Sequence, residues 1–123
     1  VQFGWHSVKS FVDLVVNGLL AGKGYRMKVI AISSNVPGVL NEQFLPHLKT
    51  EAFRVWEMMQ ANLLREIYFR ADESSAVLIF ECASVEEARA LLDSLPLVKE
   101  NLITFELIPL APYPGLARLF AAN

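Results

Sequence analysis

The chain has 123 residues, 54% of them hydrophobic and 20% charged, with a formal charge of −2. That length suits one domain able to bury a core without metal or disulfide. Acidic and basic residues are interleaved, which excludes the clustered Lys/Arg surface a nucleic-acid binder needs for phosphate contacts. No stretch reaches the roughly 20 uninterrupted apolar residues of a spanning helix, so the apolar excess points to burial against a second subunit rather than to a membrane. Cys82 is the only cysteine, and the two histidines, His6 and His47, lie far apart. This leaves no internal disulfide, no metal site and no Ser-His-Asp triad, and it fits a reducing cytoplasm.

Residues 1–26 read as a helical extension. Val8, Phe11, Val12, Val15, Leu19 and Leu20 recur at helical spacing, with Ser7 or Ser10 at the start and Gly22-Lys23-Gly24 at the end. Met27 opens the first clear strand and is a candidate natural start, which would make the preceding residues an upstream or non-native leader. The rival reading, a secretory signal, is opposed by Asp13, Asn17 and the lack of a small-residue cleavage site. Residues 27–123 form the domain proper.

From Met27 the period switches to two, and the β-branched run MKVIAIS predicts a strand. Asn35, Pro37 and Gly38 make a loop. A long helix follows, starting at Asn41 or near Pro46 and ending near Asn62, with Leu45, Leu48, Ala52, Val55, Met59 and Leu63 as its buried stripe. Residues 65–71 and 76–82 read as a hairpin joined through Asp72-Glu73-Ser74-Ser75. Ser84 and Glu87 stand at capping-box spacing and open a second helix to about Ser94, which Leu95-Pro96-Leu97 ends. Residues 102–107 read as a fourth strand, stopped by Pro109 and Pro112, and 115–122 as a short terminal helix. The order βαββαβ predicts an α+β, ferredoxin-like fold: a four-stranded antiparallel sheet with both helices on one face. The other face then needs a cover.

Several of these residues carry a resemblance. The long helix opens with Leu48-Lys49, the second strand bears aromatics, Phe80-Glu81 closes the third, Ser84-Val85-Glu86 caps the second helix, and Leu95-Pro96-Leu97 precedes the last strand. From Leu48 through Pro112 the chain resembles the muconolactone isomerase-like group of the dimeric α+β barrel superfamily. The resemblance implies a homodimer whose sheets face each other as a barrel, with a ligand pocket between sheet and helices. It also implies a cofactor-independent isomerase or proton-transfer reaction on a carboxylated or lactone-like metabolite. Val98-Lys99-Glu100-Asn101 stands where that group has Phe-Pro-Tyr, and Tyr68-Phe69 where it has Trp-Arg. The likeness therefore reaches fold and assembly further than reaction.

Strand alternation sorts the candidate chemistry. Tyr68, Arg70, Thr104 and Glu106 share the face expected to point into the barrel, opposite Ile67, Phe69, Ile103 and Phe105. Glu106, Arg70 and Tyr68 form a candidate catalytic set: a guanidinium to hold a carboxylate and a buried acid to move a proton. The structural alternative is an Arg70–Glu106 or Arg70–Glu66 ion pair that fixes subunit register. His47, Lys49, Glu51 and Trp56 on the first helix, with Phe80 and Thr104 on the sheet, complete the candidate ligand-binding residues. Lys49, Phe53, Trp56 and Gln60 form a second helical stripe that would line a pocket. Its alternative is solvent for His47, Lys49 and Glu51, and core for Trp56. Metal and cofactor are not called for, and a non-catalytic oligomeric binding module is the alternative function.

Overall fold

The computed structural model describes residues 26–122; the helix expected near the N-terminus lies outside them. Strand β1 (Met27–Asn35) is followed by two short 3-10 turns, Asn41–Gln43 and Leu45–His47, and helix α1 (Leu48–Gln60). Pro46 sits inside the second turn, where its missing N–H breaks no i→i−4 bond, and the regular helix begins two residues later. Strands β2 (Leu64–Phe69) and β3 (Ala76–Cys82) form the hairpin. Helices α2 (Val85–Asp93) and α3 (Pro96–Lys99) then lead into β4 (Ile103–Pro109). A 3-10 segment, Pro114–Phe120, closes the chain.

The four strands make one sheet in the order β2-β3-β1-β4, every neighbouring pair antiparallel. Its register is set by one irregularity: Leu64 pairs Phe80 but Glu66 pairs Ile79, so Arg65 is an extra residue on β2. A bulge of this kind reverses which side chains face inward. Leu64 therefore points into the core ahead of the bulge, and Ile67 and Phe69 do so after it.

On the inner face Val29, Leu64, Phe80 and Cys82 are fully buried against Met58 of α1 and Leu92 and Leu95 at the second helix. Each large apolar side chain so buried contributes about 1.5–3 kcal/mol. Arg54 Nε donates to Ser94 Oγ at 2.8 Å, tying α1 to the end of α2 over this packed half. Two helix ends are closed by asparagine. Asn62 (φ 60°) and Asn101 (φ 58°) take the left-handed position, and the residue after each donates back to Met58 O (3.1 Å) and Leu97 O (2.9 Å).

Four details correct the sequence reading. The buried residue on the last turns of α1 is Met58, whereas Met59 is exposed, so the stripe passes through Met58 in place of Met59 at that end. In the capping box, Ser84 Oγ accepts from Glu87 N–H at 3.1 Å as expected, but Glu87 Oε1 accepts from Ala83 N–H at 2.8 Å rather than from the serine. Strand β4 continues to Pro109, which is tolerable because it is an edge strand and this is its last residue. Leu95-Pro96-Leu97 does end α2, but it also begins the short helix α3, with Pro96 in its first turn. No helix of the described residues is long and apolar enough to cross a membrane.

Candidate functional site

The packed core fills only part of the space between sheet and helices. At the other end a cleft of about 530 Å³ opens between the inner sheet face and the start of α1, in the range typical of small-molecule sites. Its floor is the cross-strand row Phe69, Ala76, Ser33 and Phe105. Note that β1 and β3 pair through Ile32 and Val77, after which serine hydroxyls extend the contact. Ser33 Oγ accepts from Ala76 N–H at 2.7 Å, and Ser75 Oγ donates to Ser33 O at 2.6 Å.

The roof is α1 and the 3-10 turns before it, which contribute Leu45, Leu48, Glu51, Ala52 and Val55. This explains why an apolar stripe on α1 is not buried: Leu48 remains 47% exposed because it faces an open volume instead of packed side chains. Leu45 and Phe69 also line the cleft while 65% and 82% exposed, so it opens to solvent on their side.

Glu51 is the ionisable group in the cleft wall among the described residues. Its Oε1 accepts from Leu97 N–H at 2.9 Å, at the first turn of α3. Burial pushes its carboxyl above the ordinary value; the Leu97 hydrogen bond and the charge of His47, one helical turn away, pull it back by less. A carboxyl of this kind holds and releases a proton nearer neutrality than a solvated one, which is what a proton shuttle requires.

The other sequence-derived candidates lie elsewhere. Tyr68 and Glu106 are on the outer sheet face, in one row: Tyr68 pairs Val77, Val77 pairs Ile32, and Ile32 pairs Glu106. They stand on the two edge strands, three strand spacings or about 14 Å apart, and are not brought together within one chain. Tyr68 Oη donates to Glu66 Oε1 at 2.6 Å, which raises the phenol. Thr104 is exposed on the same outer face.

Arg70 lies beyond the end of β2 and is gripped by the hairpin turn, donating to both Asp72 oxygens (2.9 and 2.6 Å) and to Glu73 Oε1 at 2.6 Å. These partners replace the expected Glu106 or Glu66. They raise the guanidinium further and hold Asp72 below the usual carboxylate range. Phe80 is fully buried core. Lys49 is exposed and His47 half-buried, and neither lines the cleft. The stripe through Phe53 and Trp56 faces away from the cleft; the two rings stack on each other, centroids 5.8 Å apart, both exposed.

Of the candidate residues, then, Glu51 alone reaches the cleft. The polar floor was not anticipated, although Val29, Ala31 and Ser33 alternate inward along β1 and the hydroxyl at the end of that series is its signal. Cys82 is a buried thiol raised by desolvation, the role expected of a lone cysteine inside a core. Among the described residues no cluster of His, Cys, Asp or Glu is placed to hold a metal ion. No protein-family model matches the chain, and no curated protein matches it.

Proposed function

We propose that this chain is a small-molecule-binding protein of the ferredoxin-like, dimeric α+β barrel type, and that its cleft performs cofactor-independent proton transfer on a carbonyl compound among the carboxylated or lactone-like metabolites. The observation that carries this reading is the half-buried Glu51 carboxyl in the wall of a cleft of about 530 Å³. In the reaction, Glu51 as carboxylate takes a proton from a carbon beside the carbonyl, and the electron pair of that C–H bond moves to the carbonyl oxygen as an enolate. Ser33 Oγ already accepts from Ala76 N–H, which leaves its own proton to donate to that oxygen. The carboxyl then returns the proton to another carbon of the delocalised anion, so one C–H bond is broken, one is made, and the product is an isomer.

The sheet order and the placement of helices on one face support the fold assignment. Dimerisation is supported by the outer face, where Ile30, Ile32, Val77 and Ile79 form an apolar rectangle that is only half-buried in one chain. Pairing through it would place Tyr68, Thr104 and Glu106 at the subunit boundary.

A second reading, binding without catalysis, is favoured by the Glu51–Leu97 hydrogen bond, since a carboxylate engaged with a helix end also serves as a structural tie. Exchange of the protons beside the carbonyl of 2-tetralone, followed by NMR in D2O, separates the two. Proton-transfer activity predicts accelerated exchange that Glu51→Gln reduces by about 10²-fold or more. Binding of the ketone without accelerated exchange would establish the non-catalytic reading.

A further inference from the structure

Given the reading of the cleft as a small-molecule site, on which this step rests, the geometry points to the lactone-like and against the carboxylated half of that reading: an uncharged, largely apolar molecule bearing a carbonyl or hydroxyl oxygen, bound in preference to its carboxylate counterpart. The walls are built for apolar bulk, with Leu48 and Val55 above and Phe105 below. Against that background the polar residues of the lining are neutral, Ser33, Asn35, Asn41, Ser74 and Ser75, apart from one acid, Glu51.

Among the described residues, no Lys, Arg or His lines this wall. His47, whose charge reaches Glu51, does not line the cleft, and three arginines of the described residues are already committed. Arg54 donates to Ser94 Oγ and lies 3.6 Å from Glu57, Arg70 is chelated by Asp72 and Glu73, and Arg89 donates to Phe105 O. A ligand carboxylate would therefore exchange water for apolar walls and a like-charged neighbour, with no fixed cation to replace its hydration. A neutral oxygen loses far less on entry and recovers it through the Ser33 O–H. An ammonium would find a counter-charge in Glu51, but one already engaged by Leu97 N–H.

The test uses the full chain and four naphthalene probes of one ring size: methyl 2-naphthoate, 2-naphthol, 2-naphthoate and 2-naphthylmethylammonium. Each is titrated at neutral pH by calorimetry into wild type, Glu51→Gln and Ala52→Phe. The ester and the naphthol should bind about tenfold or more tightly than the carboxylate. Glu51→Gln should narrow the gap between ester and carboxylate by at least about threefold, a change that the greater oiliness of the ester cannot produce. Ala52→Phe should weaken the ester by about tenfold by filling the cleft. Carboxylate binding equal to or tighter than ester, ammonium binding tighter than ester, or a gap unmoved by Glu51→Gln would overturn the ligand class while leaving the cleft a binding site. Failure of all four probes to bind would overturn the cleft itself as a small-molecule site, and this inference with it.

Discussion

Along β3, Leu78, Phe80 and Cys82 are buried beneath the helices, whereas Val77 and Ile79, one residue away on the other face, are only half-buried. Both faces of the sheet are apolar at the centre, but the described residues cover only one of them. The helix side is finished at the Phe80 end and open at the Ser33 end, where the missing packing is the cleft. Among the described residues, no helix lies over the outer side. The contrast teaches that an unfilled apolar surface has two meanings here. Where it is concave and carries a carboxyl it suits a small molecule, and where it is a flat sheet face it suits another sheet.

Substituting adjacent residues tests that contrast most directly. Phe80→Ala should cost about 3–5 kcal/mol of unfolding free energy in urea titrations, because it leaves a cavity in the packed half. Ile79→Ala in a monomer should cost only about 1 kcal/mol. If sheets pair, the Ile79→Ala deficit will instead depend on protein concentration; a deficit matching that of Phe80→Ala at every concentration would contradict the division of the two faces. Ile32→Asp should convert a dimer into a folded monomer in light scattering, with far-UV circular dichroism retained. A wild-type chain that already scatters as a monomer would refute the paired-sheet assembly.

Ser84→Ala should lower stability by about 1 kcal/mol through loss of the cap on α2. Since that cap holds the packed half, methyl 2-naphthoate affinity should change little. The smallest effect concerns Glu51. Its carboxyl is raised in the folded chain, so the native state binds more protons than the unfolded state between the ordinary carboxylate value and the raised one. Stability contributed by this group is therefore present at acid pH and lost as pH rises through that window. Glu51→Gln keeps an oxygen for Leu97 N–H and should flatten the decline, seen as a shallower pH dependence of the urea midpoint. An unchanged slope would show that burial does not perturb this carboxyl.

Most strand and helix positions were legible because alternation and capping act locally. Ser84 and Glu87 announce α2, and Val29, Ala31 and Ser33 alternate along β1. The phase of α1 was less legible. Spacings of three and four both fit Val55 to the next apolar residue, and only the reversal at Asn62 and the packing beneath it select Met58 over Met59. The cleft was harder still, because it is made of volume that side chains fail to fill, and Leu45 and Leu48 read as core when they roof a void. Arg70 was misread for a related reason: strand alternation carried it onto a face, but β2 ends at Phe69 and the hairpin turn takes it up.

The serine clasp in the floor of the cleft has a consequence for how that strand end is held. Most amides inside the sheet are held by a carbonyl of the neighbouring strand, whereas Ala76 N–H is held by the hydroxyl of Ser33, so its protection depends on a side-chain rotamer. This end of the β2–β3 hairpin is thus tied to β1 by two serine bonds, Ala76 N–H to Ser33 Oγ and Ser75 O–H to Ser33 O, beyond the ladder from Val77 to Cys82. The strand margin that floors the cleft is therefore the part of the β1–β3 seam whose closure depends on side chains.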